Sequence, residues 1–150
     1  MKNLPTILVA PLLFLVPTVG QTQPVETELE GVTAEVVELR QAGGVLRLAI
    51  RFTNGGAAAA DPSDYGVDRI TLVDVKSKKK HFPLRDANSQ YLAGPFHSGS
   101  IWLSVPVKKS AVLWAYFEPV AIGTVMNVEV PYVFPFENVP VTEAPSKVFA

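Results

Sequence analysis

The chain contains no cysteine among its 150 residues. Disulfides, thiolate metal sites and a cysteine nucleophile are thereby excluded. A lipid anchor of the bacterial lipoprotein kind, which needs an N-terminal cysteine, is excluded as well. Histidine is scarce: only His81 and His97 are present. A zinc site takes more protein ligands than two imidazoles supply, so carboxylates from distant loops would have to complete it. Both histidines are expected at the surface. Neither sign of charge dominates, with 13 Lys+Arg against 14 Asp+Glu. A chain this close to neutrality gives no reason to expect nucleic acid or an anionic membrane as partner. Ser77, Ser89, Ser98, Ser100, Ser104 and Ser110 sit in no G-x-S-x-G elbow. No cofactor or catalytic motif stands out, and the chain reads as a non-enzyme. Helical periodicity is missing as well.

What is present begins with one charge-free apolar run. Leu4 to Val19 follows Lys2 and Asn3 and leads out through the small residues Thr18 and Gly20. The run is short for a membrane span and is interrupted by Pro5, Pro11 and Pro17. A basic start, an apolar middle and a small-residue exit predict a secretory signal peptide over 1–20 and a secreted or periplasmic protein. Cleavage after Gly20 removes Lys2, leaving 12 Lys+Arg against 14 Asp+Glu in Gln21–Ala150. No later segment is long and apolar enough to span a bilayer. The remaining length suits one domain with a real core.

Residues 21–31 are polar, contain Pro24 and read as a flexible arm. From Val32 the pattern has period two. Leu46, Leu48, Ile50 and Phe52 alternate with Arg47, Ala49, Arg51 and Thr53, a half-buried strand with one wet face. Ala42-Gly43-Gly44 joins it to Val32–Arg40 as a hairpin. The earlier strand has a phase fault: Val32, Ala34 and Val36 share one face, whereas Val37 and Leu39 fall on the other. A bulge near Val36, or a change of sheet there, repairs it. Asn54 to Gly66 is turn chemistry. Arg69–Val75 and Lys80–Arg85 read as two strands. Ile101, Leu103, Val105 and Val107 alternate as a further strand. Val112 to Phe117 is apolar on both faces, which predicts a central strand covered on both sides. Met126, Val128 and Val130 continue the series, and Pro131 to Val141 suits a final edge strand. Residues 142–150 read as a frayed tail. Seven or eight short strands without a helix predict an antiparallel β-sandwich over 32–141, with a barrel as the alternative.

Several stretches carry a resemblance. They are Gly44-Val45-Leu46-Arg47-Leu48, Ile70-Thr71-Leu72-Val73-Asp74, Lys80-His81-Phe82-Pro83-Leu84-Arg85-Asp86, Leu113-Trp114-Ala115-Tyr116-Phe117, Val128-Glu129-Val130-Pro131 and Pro135-Phe136-Glu137-Asn138-Val139-Pro140. Together they resemble an immunoglobulin-like domain of uncharacterised exported bacterial proteins, in some of which it precedes a peptidoglycan-binding domain. They are more distantly similar to small secreted immunoglobulin-like antigens of mycobacteria. The resemblance implies an immunoglobulin-like sandwich and carries no catalytic or binding residues with it.

Three groups of side chains are candidates for contact. Asp61, Asp64 and Asp68 share one loop with Gly66, and loop carboxylates are calcium ligands. Their D-x-x-D-x-G-x-D spacing lacks the EF-hand register, and aspartate is also an ordinary turn residue. Lys76, Lys78, Lys79 and Lys80 with His81 form the one basic cluster, which can hold a polyanion or simply blunt a hairpin tip against aggregation. Trp102 is out of phase with Ile101, Leu103 and Val105, so it either closes the second face or is exposed for contact. Phe134 and Phe136 lie on the expected edge strand, where a partner can add a strand. The leading expectation is an interaction or structural module of the cell envelope, with an envelope protein or wall polymer as partner. Calcium or small-ligand binding by the 61–68 loop is the alternative. Homodimerisation through sheet edges is compatible with both.

Overall fold

Gly43 and Gly44 have φ of +58° and +82°. Two successive left-handed residues make the tight turn whose twist matches that of paired strands. They join strand β2, Val32–Ala42, to β3, Val45–Asn54, with Ala42 opposite Val45. Farther along the hairpin Val36 pairs with Ile50 and Glu38 with Ala49, which leaves Val37 as the extra residue of a bulge. The bulge resets the phase, so Val36 and Leu39 both reach the core although their spacing is odd.

The computed structural model describes residues 22–144. The expected signal peptide, 1–20, lies outside the described residues, as does the end of the expected tail, 145–150. Besides β2 and β3, the strands are β1 (Val25–Glu26), β4 (Thr71–Asp74), β5 (Lys80–His81), β6 (Ala93–Gly94), β7 (Phe96–His97), β8 (Ser100–Ile101), β9 (Ser110–Phe117), β10 (Val125–Glu129), β11 (Phe136–Pro140) and β12 (Thr142–Glu143). A single 3-10 turn, Val67–Arg69, is the sole helical element among the described residues. The larger sheet runs β1-β2-β3-β9-β6, with β12 on β2, and the smaller runs β11-β10-β4-β5. All pairings are antiparallel except that of β12 with β2. One continuous core lies between the sheets, with Val36, Leu48, Ile50, Phe52, Leu113 and Phe117 from the larger and Leu72, Met126, Val128 and Phe136 from the smaller. The fold is an all-β sandwich. Its two main sheets keep open edges, so the barrel alternative falls, and β7 and β8 pair as a separate two-stranded ribbon.

Several expectations are corrected. Of the expected flexible arm, 21–31, the described part, 22–31, is tied down: Val25 pairs with Ala34, and Thr22 exchanges hydrogen bonds with the Val36 backbone. The tail begins as a strand, since Thr142 and Glu143 pair with Arg40 and Gln41. Both differences have one cause. The outer edge of β2 carries backbone groups that need partners, and the two ends of the described chain cover it in turn. Strand Lys80–Arg85 stops at His81. Pro83 cannot donate to a ladder, and beyond it Leu84 donates to Tyr116 of the other sheet. Strand β9 is internal, yet only Leu113, Ala115 and Phe117 are buried. Val112 is exposed, and Trp114 and Tyr116 are half-exposed. Their rings meet edge to face at 5.7 Å, and Trp114 lies on Gly94, where a Cβ would come within 2.7 Å of the indole.

The largest difference concerns Ile101 to Val107. The alternation is real, with Ile101, Leu103 and Val105 buried and Trp102 and Ser104 exposed. The stretch nevertheless joins neither main sheet. On one side Ile101 pairs with Phe96 and Trp102 N–H donates to Pro95 O; the other backbone partners come from the Asn54–Gly66 loop. Asp64 N–H donates to Ile101 O, Ile101 N–H to Tyr65 O, and Ala60 and Val105 exchange bonds of 3.1 and 2.7 Å. The Ser63 hydroxyl accepts from Leu103 N–H at 2.7 Å and donates to Leu103 O. Alternation reports which side faces the core, and it says nothing of who supplies the hydrogen bonds.

Candidate functional site

This irregular ribbon builds a cleft. The loop brings Asp61, Ser63 and Asp64 beside Trp102, Ser104 and Tyr132, around a hollow of about 540 Å³. The alternation that buries Ile101 and Leu103 turns Trp102 outward, leaving it 62% exposed. Its backbone N–H is fixed on Pro95 O, and His97 meets its ring edge-on at 6.1 Å. Of the two readings for Trp102, exposure for contact is the one found.

Asp64 and Tyr132 have φ of +67° and +72°. A left-handed tyrosine is strained and persists only where its surroundings hold it. Here the Tyr132 hydroxyl donates to Ser63 O at 2.9 Å, and its ring meets Tyr65 at 6.1 Å. Tyr65 is buried and its hydroxyl lacks a hydrogen-bond partner. Burial, and then the neighbouring Tyr132, push that phenol far above its ordinary value of 10.0.

The aspartate triad does not converge. Asp61 and Asp64 face the Trp102 cleft, whereas Asp68 lines a different hollow with Arg69, Thr71, Lys80 and Glu129. Among the described residues no cluster of three His, Asp or Glu side chains is placed to hold a metal ion. The three aspartates expected to share a calcium site are therefore divided: the 3-10 turn after Gly66 leaves Asp68 in that different hollow.

A second hollow, about 780 Å³, opens where β1 and β11 lie at the edges of their sheets. Val25, Phe134, Pro135 and Phe136 supply its apolar lining, and Glu26, Glu28 and Glu137 its acidic lining. Phe134 is 82% exposed, but Phe136 is only 4% exposed and belongs to the core. Phe136 is therefore corrected from contact to packing. Period two puts the neighbouring Glu137 outside and Phe136 in, opposite Val128. Among the residues that line the two hollows, Tyr132, Ser104 and the three glutamates carried no sequence signal, because only the fold brings them there.

Lys76, Lys78, Lys79 and Lys80 are all exposed around the β4–β5 turn. Lys79 pairs with Glu118 at 3.1 Å and Lys80 with Glu129 at 3.2 Å. Half of the cluster is thus internally neutralised. His81 is corrected from the surface to the interior. It is 6% exposed, with Nδ1 3.2 Å from Glu118 Oε1. Lys79, by hydrogen bond and charge, holds the Glu118 carboxyl below its ordinary 4.5, with a smaller contribution from His81. The Ser77 and then the Lys76 backbone N–H groups do the same for Asp74. Both carboxyls titrate lower in the folded chain than in the unfolded one. Their contribution to stability is complete above the ordinary carboxylate range and is lost as pH falls through the lower folded values. Glu118→Gln and Asp74→Asn together are expected to flatten the decline of melting temperature below pH 4.5. An acid limb identical to that of the unaltered protein would contradict this assignment.

No family model, no curated protein and no solved structure matches this chain.

Proposed function

We propose that the chain is an exported, non-enzymatic interaction module of the cell envelope, and that the seam between β1 and β11 is where it meets its partner. The observation that carries this reading is Phe134, an aromatic ring 82% exposed in the apolar lining of a hollow at the joint edge of two sheets. Exposed aromatics in apolar hollows are where binding energy concentrates. The acidic lining of Glu26, Glu28 and Glu137 repels acidic wall polymers and favours a protein partner that presents apolar and basic side chains. Export rests on the leader at 1–20, and an immunoglobulin-like classification rests on the resemblance.

Phe134→Asp is the test. Phe134 contributes little to the core, so the variant is expected to melt with the unaltered protein. It is also expected to weaken capture of the partner from envelope extract, and affinity for that partner once purified, by tenfold or more, on the order expected for a buried aromatic anchor. Equal affinity in a folded variant would exclude the seam. Raised salt is expected to slow association through these glutamates. N-terminal sequencing of the protein recovered outside the cytoplasm tests the export reading, with Gln21 as the expected first residue.

A further inference from the structure

The Trp102 cleft shares no lining residue with the seam. Its chemistry is one-sided. The Ser63 hydroxyl is used twice on Leu103, and the Tyr132 hydroxyl is used on Ser63 O. What remains for a visitor is the Asp61 and Asp64 carboxylates, the Ser104 hydroxyl and the indole of Trp102. Both carboxylates are exposed, and neither has an ion-pair partner among the described residues. No Lys, Arg or His lines the hollow.

An anion entering there would meet only repulsion. A neutral sugar would find acceptors but few donors. A positive charge with apolar substituents fits all the free groups together, with the carboxylates attracting it and the indole face accepting it. The ring is pre-placed, since its backbone is bonded to Pro95 and it packs against His97 in a T-shaped pair, so little ordering remains to be done on binding. We propose that the Trp102 cleft binds an organic ammonium group, carried either by a free small cation or by a lysine side chain of a peptide. This inference is independent of the seam, and the two can fail separately.

The probes are choline, N-acetyl-lysine methylamide and 3,3-dimethyl-1-butanol, the last being the uncharged carbon isostere of choline. Each is titrated into the protein while the Trp102 indole N–H resonance is followed, assigned by its loss in Trp102→Ala. The expected result is a saturable shift with at least one ammonium probe, with a Kd on the order of millimolar for so small a ligand. The neutral isostere should bind about tenfold more weakly or not at all, since only the charged head engages the carboxylates. Saturation by choline points to a free cation, and saturation by the lysine amide points to a peptide side chain. Asp61→Asn with Asp64→Asn changes only exposed groups and is expected to abolish the preference for charge. Equal binding of the neutral isostere overturns the proposal. So does the absence of a saturable shift with both ammonium probes. Because the isostere comparison is made on the unaltered protein, neither overturning result depends on the Asp61/Asp64 variant folding.

Discussion

Asn54→Ala is expected to destabilise the protein by about 3 kcal/mol and to lower its melting temperature by roughly 10 °C. Asn54 ends β3 and is almost wholly buried. Its Nδ2 donates to Ala58 O at 2.8 Å and to Val105 O at 2.9 Å, and its Oδ1 accepts from Gly56 N–H at 2.9 Å. Its backbone adds bonds to Lys109 O and from Lys108 N–H. One side chain therefore fastens the start of the 54–66 loop to the Ile101–Val105 stretch. Alanine removes three hydrogen bonds at once, of which the one to Val105 O is wholly buried. Thr53→Ala, one residue earlier, loses a single exposed bond to Ser110 and is expected to change stability by less than about 1 kcal/mol. Asn54→Asp keeps the acceptor for Gly56 but points a carboxylate at two carbonyl oxygens. It should be less stable at neutral pH than in mild acid, where a protonated carboxyl can donate again. Thermal melts of the three variants check the assignment. A melting temperature for Asn54→Ala equal to that of Thr53→Ala would show that the loop is held by something else. Because the loop delivers Asp61 and Asp64 to Trp102, Asn54→Ala is also expected to weaken ammonium binding without touching the cleft.

Phe52→Ala is expected to cost about 3–5 kcal/mol, the range for emptying an aromatic site in a close-packed core. Phe52 is fully buried, opposite Ala34 in β2 and Ala111 in β9. Directly opposed residues share a face of the sheet, so the ring spreads over two alanines. Large beside small is how such layers interlock. Alanine at 52 would set three small residues in a row, and no neighbour in that row can swing in to fill the space. Denaturant unfolding reads the effect as a lower midpoint with an unchanged slope. A cost below about 1.5 kcal/mol would mean that the site collapses as a volume-conserving swap does, and that the row is looser than this packing requires. Phe134→Ala is the counterpart. The same side chain is 82% exposed there, and its loss should leave the midpoint where it was.

Much of the fold was legible because strand sequences encode burial directly. Leu46, Leu48, Ile50 and Phe52 alternate in the sequence and are buried together. Gly43-Gly44 announced the hairpin because only glycine takes two left-handed positions freely. Even the bulge was readable, since Val36 and Leu39 cannot share a face without an extra residue between them. The outward turn of Trp102 was open to the same reasoning, as one of two alternatives.

Beyond that hairpin, pairing was not legible. Residues 22–26 and 142–143 are too short and too polar to read as strands, and they become strands because β2 offers an open edge that needs partners. The 54–66 loop looked like punctuation, because glycine, proline and aspartate mark turns wherever they occur. Only the sandwich lays that loop along Ile101–Val105 and makes Asn54 and Ser63 the ladder between them. Asp68 looked equivalent to Asp61 and Asp64 until a turn of three residues sent it to another hollow. An all-β chain, its turns and most of its buried strand faces could be read from local pattern, because period and backbone conformation are local properties. Tertiary structure alone decided which aspartates stand beside Trp102 and which phenylalanine is left in water, because each depends on segments that are far apart in the chain and adjacent only once the sheets have packed.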